Sequence, residues 1–207
     1  ETLQKLRKDK KFPTIWCSGC GLGVVMGALI RAIDHLGLQN DEVALVAGIG
    51  CTARMPIYLD FNTLHTTHGR ALAFATGLKI ARPDMKVIAI MGDGDALAIG
   101  GNHFIHAARR NLGITALVVN NAIYGMTGGQ YSPTTPIGGR ATTAPYGNVE
   151  PPFPVCDLAI AAGASFVARS TVYHALELDK LLAEAIAKDG FSLVEAISYC
   201  HTTYGRM

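Results

Sequence analysis

Apolar residues gather in short runs along this chain of 207 residues: VALVA at 43–47, KVIAIM at 86–91 and ITALVV at 114–119. Each run is apolar without alternation, which predicts a strand buried on both faces. Two further strands are predicted at 165–168 and 191–197. Helical segments lie between them. GLGVVMGALIRAIDHL at 21–36 is ended by Gly37, and GRALAFATGLKIA at 69–81 is stopped by Pro83. Further helices are expected at 101–111, 157–162 and 174–188. Buried strands alternating with helices predict an α/β fold, a mainly parallel sheet with helices on both faces, built as a single domain over residues 1–207. In such sheets ligands sit just beyond the carboxyl ends of the strands. Three of these strand ends carry unusual residues: Gly48-Ile49-Gly50-Cys51, Gly92-Asp93-Gly94-Asp95 and Asn120-Asn121. They are expected to converge in space. The segment 125–154 is rich in Gly, Pro, Thr and Ser. A loop of this length is uncommon unless functional, so it is expected to fold over the same place.

Composition narrows the class. Hydrophobic residues make up 49% of the chain and charged residues 16%, a balance that excludes a disordered protein. So little charge suggests a surface partly covered by partner subunits. The formal net charge of +2 points to no acidic partner. The basic stretch Lys5, Arg7, Lys8, Lys10 and Lys11 reads as a solvated N-terminal arm rather than a nucleic-acid patch. No apolar run is long enough to cross a membrane, and no secretory leader is evident, so a cytoplasmic protein without nucleic-acid or membrane partners is expected. The chain begins at Glu1, which reads as a processed or trimmed start.

The candidate chemistry lies at the strand ends. Alone, Gly92-Asp93-Gly94 is an ordinary turn. Asn121 follows Asp93 by 28 residues, the length of a helix plus the next parallel strand. Adjacent strand ends would then offer a carboxylate and an amide oxygen to one hard cation such as Mg²⁺. The flanking glycines let backbone amides approach a diphosphate, and the helix after residue 100 points its N-terminus the same way. There are five cysteines, an odd number that argues against a disulfide framework. Cys17 and Cys20 form a C-x-x-C, open to zinc, thiol redox or iron–sulfur readings. Cys51, Cys156 and Cys200 are isolated.

WCSGCG at 16–21, GIGCTAR at 48–54, THGRA at 67–71, MGDGDALAIGGNH at 91–103 and VVNNAIYGMTGGQYSPTTP at 118–136 together resemble the β subunit of 2-oxoacid:ferredoxin oxidoreductases, in order and spacing over essentially the whole chain. The resemblance implies coenzyme-A-dependent oxidative decarboxylation of a 2-oxoacid, with electrons passed to ferredoxin. It implies thiamine diphosphate, Mg²⁺ and one [4Fe–4S] cluster as cofactors, and an α subunit with small γ and δ subunits as partners. By the same resemblance Asp93, Asn121 and the carbonyl of Ile123 bind Mg²⁺. Ile49, Gly50, Cys51 and Thr52 lie against the cofactor, as do His68, Gly69, Arg70 and Ala71, and likewise Gly94, Asp95, Gly125 and Met126. Cys17, Cys20, Cys51 and Cys200 hold the cluster, and Cys156 is left over as a small core residue.

Within that frame His68 is a candidate catalytic group, whereas His65, His35, His103, His106, His174 and His201 are read as structural. Arg54 reads equally as a clamp for a substrate carboxylate or as a surface ion pair. The stretch Gly125-Met126-Thr127-Gly128-Gly129-Gln130 resembles the branch using 2-oxoglutarate or branched-chain oxoacids, with Met126 a soft wall toward the substrate. No strand-end motif supplies the glutamate that activates the cofactor, so the chain is expected to hold the diphosphate half of a shared active site. Relatives usually continue past the fourth cysteine, whereas Met207 follows Cys200 by seven residues. An iron-free thiamine-dependent decarboxylase or synthase would not need four cysteines at these positions. A non-enzymatic metal-binding module would need neither the Asp93–Asn121 spacing nor THGRA. A dinucleotide-binding domain is excluded because GIGCTA lacks the third glycine of its motif.

Overall fold

The computed structural model describes residues 2–9 and 12–204. Six strands form one parallel sheet in the order β2-β1-β3-β4-β8-β7. The central strands are the apolar runs: β1 (Val43–Ala47), β3 (Lys86–Gly92), β4 (Ile114–Asn120) and β8 (Ser192–Ile197). β7 (Phe166–Thr171) forms one edge, and β2 (Asn62–His65), which the apolar pattern does not predict, forms the other. All four residues of β2 are exposed, so it carries no hydrophobic signal.

Alternate residues of the central strands feed two separate cores. Leu45, Ile88, Ile90, Leu117 and Val194 face α1 (Leu22–His35) and α6 (Ala175–Ala187). Val46, Ala89, Met91, Val118 and Leu193 face α2 (Ala71–Ala81), α4 (Gly101–Arg110) and α5 (Val155–Ala161). The helices match this arrangement. Leu22, Val25, Met26, Leu29, Ile30 and Ile33 make one stripe of α1, at spacings of three and four residues. The helix starts after Gly21, whose φ of 83° favours glycine and whose absent Cβ would lie 2.7 Å from the Val172 side chain.

Three local features differ from expectation. β3 passes directly into a short helix, α3 (Asp93–Leu97), rather than a glycine turn. A 3₁₀ segment, Thr52–Tyr58, follows β1. The long loop contains a small hairpin of β5 (Ile123–Tyr124) and β6 (Gln130–Tyr131). The basic stretch is not a free arm in its described part. Lys5 is buried and donates to the Leu38 carbonyl and Asn40, each at 3.0 Å, and Arg7 donates to the Leu59 carbonyl at 3.0 Å. Apolar packing of Leu6 beneath the stretch brings these stems down with it. Lys10 and Lys11 lie outside the described residues. Among the described residues no helix is long and apolar enough to cross a membrane.

Candidate functional site

The topology fixes where the site lies. From β1 the chain turns outward to β2, then crosses back to β3 on the other side of β1, so the carboxyl ends of β1 and β3 flank a reversal of strand order. A cleft of about 170 Å³ opens there, and its walls come from all three predicted strand ends. Ile49, Gly50, Cys51 and Thr52 follow β1; Gly92 to Asp95 close β3 and open α3; Asn121 and Ile123 to Thr127 follow β4. His68 completes the lining. No residue of α4 reaches the cleft, so the helix aimed there is α3 and not the helix after residue 100. Small-molecule sites usually span roughly 300–1,000 Å³, so this cleft accommodates part of a cofactor-sized ligand.

Asp93 is 2% exposed. Its Oδ2 accepts hydrogen bonds from Ser132 Oγ at 2.5 Å and Thr134 Oγ1 at 2.6 Å. Both donors come from the long loop, which thus folds onto the site. Burial pushes the Asp93 carboxyl above its ordinary range, and these two hydroxyls only partly offset that. Its Oδ1 faces the Asn121 amide: one amide heavy atom lies 3.3 Å from Asp93 Oδ1 and 2.8 Å from the Ile123 carbonyl oxygen. With its NH₂ turned inward the amide would donate to both of these oxygens. A hard cation would be satisfied by the opposite rotamer, with three oxygens converging. The donor set therefore fits Mg²⁺.

The backbone at this point is unusual. Ala122 has a φ of 59°, left-handed for a residue with a side chain. Asn120 Oδ1 accepts from the Ala122 N–H at 3.0 Å, and Thr135 Oγ1 donates to the Ala122 carbonyl at 2.6 Å. These bonds hold the turn that points Asn121 and Ile123 toward Asp93.

Asp95 is the second buried carboxylate. Its Oδ1 accepts from the Gly69 N–H at 2.6 Å and the Ile49 N–H at 3.3 Å, and lies 2.7 Å from His68 Nδ1. Its Oδ2 is buried without a partner, facing Gly48, where a Cβ would stand 2.0 Å from it. Burial raises its pKa too. Gly69, Arg70 and Ala71 do not line the cleft; Gly69 packs against Ile99 and Gly100, and Arg70 donates to the Ile99 carbonyl at 3.1 Å. Arg54 is half-buried outside the lining, and its Nε has no hydrogen-bond partner.

The four cysteines Cys17, Cys20, Cys51 and Cys200 gather beside the cleft as free thiols. Cys51 lines it, and Trp16 Nε1 donates to the Cys51 carbonyl at 2.8 Å. Ser198 Oγ donates to the Cys20 carbonyl at 2.5 Å, tying the segment after β8 to the C-x-x-C turn. Cys200 Sγ lies 3.1 Å from where a Cβ on Gly125 would stand. Burial, then the charge of the neighbouring cysteines, pushes the Cys20 and Cys51 thiols up. Among the described residues no three His, Cys, Asp or Glu side chains converge closely enough to hold a single metal ion.

The sequence did not single out Ser132, Thr134, Tyr124 or Glu195. Tyr124 lines the cleft and donates to the Gly94 carbonyl at 3.2 Å. Ser132 and Thr134 lie in the segment expected to fold over the site, but neither was singled out there. Cys156 is half-buried and donates to Glu195 at 3.3 Å; burial, then Glu195, pushes its thiol up to about 11.

Comparison with known proteins identifies the family. Residues 46–196 match the family described as the thiamine pyrophosphate enzyme C-terminal TPP-binding domain. The 2-oxoglutarate synthase subunit KorB of Archaeoglobus fulgidus is 56% identical over 195 residues, covering 94% of this chain and 73% of that relative. The subunit of the same name from Methanocaldococcus jannaschii is 53% identical over 204 residues, covering 99% of this chain and 75% of the relative. A solved 2-oxoglutarate:ferredoxin oxidoreductase from Magnetococcus marinus, with 2-oxoglutarate, coenzyme A and succinyl-CoA bound, superposes with a TM-score of 0.94 at 39% identity, over 98% of this chain and 68% of the other. The chain belongs to the thiamine-pyrophosphate-binding KorB family, the β subunits of 2-oxoglutarate synthases.

Proposed function

We propose that this chain is the subunit of a 2-oxoglutarate:ferredoxin oxidoreductase that holds thiamine diphosphate, Mg²⁺ and a [4Fe–4S] cluster. With an α subunit and small γ and δ subunits it would convert 2-oxoglutarate and coenzyme A to succinyl-CoA and CO₂, passing electrons to ferredoxin. One observation carries the reading. Asp93 has one carboxylate oxygen saturated by two hydroxyls and the other turned toward the Asn121 amide and the Ile123 carbonyl.

When bound, thiamine diphosphate supplies the electron sink for decarboxylation of a 2-oxoacid. Asp93, Asn121 and the Ile123 carbonyl would hold Mg²⁺ against the diphosphate. Gly50 and Gly94 keep side chains out of the cleft, so backbone reaches the ligand. Asp95, when ionised, fixes the proton of His68 on Nδ1 and leaves Nε2 to exchange protons with the occupant of the cleft. Cys51 borders both the cleft and the other thiols, which keeps the path for electrons short. Arg54, with a buried Nε in want of a partner, is the guanidinium we assign to the distal carboxylate of 2-oxoglutarate.

The test is anaerobic purification with the partner subunits, followed by iron, sulfide and thiamine diphosphate analysis. Coenzyme-A-dependent reduction of ferredoxin by 2-oxoglutarate is then assayed. About four iron and four sulfide per chain with 2-oxoglutarate-dependent reduction is expected. Thiamine diphosphate with no iron would instead favour a non-oxidative decarboxylase. Arg54→Ala should raise KM for 2-oxoglutarate at least tenfold and leave that for a monocarboxylic 2-oxoacid unchanged; equal effects on both would remove Arg54 from the substrate site.

A further inference from the structure

Glu195 is a carboxylate with 0% exposure in the middle of the sheet, outside the cleft. Buried ion pairs seldom stabilise a fold more than apolar residues of the same shape would, so its presence calls for another reason. Each of its oxygens is engaged. Oε1 accepts from Asn120 Nδ2 at 2.7 Å. Oε2 accepts from Arg169 Nε at 2.6 Å and from the Cys156 thiol at 3.3 Å. With its NH₂ committed to Glu195, the Asn120 amide must present its oxygen on the other side. That oxygen takes the Ala122 N–H at 3.0 Å and lies 2.9 Å from Thr134 Oγ1. The single proton of the Thr134 hydroxyl is shared between this oxygen and Asp93 Oδ2, 2.6 Å away. One oriented amide thus touches both supports of the cation site: the left-handed turn between Asn121 and Ile123, and the hydroxyl on Asp93.

We propose that Glu195, charge-balanced by Arg169, is a positioning residue for the cation–diphosphate site, acting through Asn120 on the Ala122 turn and on Thr134. The proposal rests on reading Asp93, Asn121 and Ile123 as that site. It assigns a task to the first asparagine of the Asn120-Asn121 pair. Cys156 becomes a donor to the same carboxylate, which is more than a space-filling role.

The test is Mn²⁺ affinity in the presence of saturating thiamine diphosphate. It is read by electron paramagnetic resonance of free Mn²⁺ on the full chain assembled with its partner subunits, beside melting curves taken without either ligand. Glu195→Gln can turn its new amide toward Asn120 and release the fixed rotamer. Mn²⁺ affinity should fall tenfold or more, the range typical when a group behind a metal ligand is lost. Exchanging the two groups, with Asn120→Asp and Glu195→Gln together, restores an acceptor toward Ala122 and Thr134 and should recover affinity to within threefold. A folded Glu195→Gln protein with affinity within twofold of the parent overturns the proposal, as does an exchanged pair that folds without recovering. Should the single variant not fold, the exchanged pair decides alone. Failure of both to fold assigns Glu195 to the core and also overturns the proposal. A parent protein that binds no Mn²⁺ with thiamine diphosphate would sink the reading of the site itself.

Discussion

Ala122 concentrates the strain of the site in one residue. A left-handed alanine costs roughly 1–2 kcal/mol relative to ordinary backbone, and two hydrogen bonds hold it there. Ala122→Gly should therefore leave stability unchanged or raise it by up to about 1 kcal/mol. Ala122→Val, β-branched, should lower it by more than that and weaken Mg²⁺ binding with it. Urea unfolding of the two variants checks both. Cysteines differ as sharply at this scale. Cys17 is exposed, whereas the Cys156 thiol is pushed up to about 11 by burial and by Glu195. At pH 8 only about one Cys156 in a thousand is a thiolate, and that fraction grows tenfold per pH unit up to its pKa. In cluster-free protein iodoacetamide should label Cys17 first and Cys156 last, as mass spectrometry of timed samples would reveal. Equal labelling rates near pH 8 would refute the raised pKa of Cys156.

Elements explain why parts of the site were legible in sequence. VALVA, KVIAIM and ITALVV are apolar on both faces because helices cover both faces, and their ends carry the cleft. Asn62–His65 pairs as a strand only through backbone register with Val43–Ala47, so no apolar signal marks it. Ser132 and Thr134 sit in a loop whose composition signals turns, and which of its hydroxyls meet Asp93 depends on tertiary folding. Glu195 did leave a trace, a lone charge inside SLVEAI, but its partners lie on three other elements. The join of β3 to α3 is equally specific. A Cβ on Gly94 would stand 2.2 Å from the Tyr124 ring. Gly94→Ala should displace Tyr124 and abolish thiamine diphosphate binding measured by calorimetry. Adding Tyr124→Ala should restore room for the methyl and recover the stability lost by the single variant.

At the scale of the whole molecule, the thiols come from both ends of the sequence. Cys17 and Cys20 precede α1, Cys51 follows β1, and Cys200 follows β8. Ser198 and Trp16 already tie these segments together by hydrogen bonds to the carbonyls of Cys20 and Cys51. Ligand binding restricted to the folded state adds to its stability. Protein reconstituted with iron and sulfide under anaerobic conditions should melt several degrees above the iron-free form. Cys200→Ser should remove that gain while leaving the iron-free melting point nearly unchanged.

The place of β8 in the sheet bears on how the protein is made. Among the described residues it is the last strand in chain order, yet it lies inside the sheet, between β4 and β7. A nascent chain therefore carries an open seam between β4 and β7 until β8 emerges. Seating β8 closes that seam, and the same event delivers Glu195 to Asn120 and Cys200 to the other thiols. Topology thus orders these events: a chain interrupted before β8 has neither a closed sheet nor its four predicted cysteines brought together.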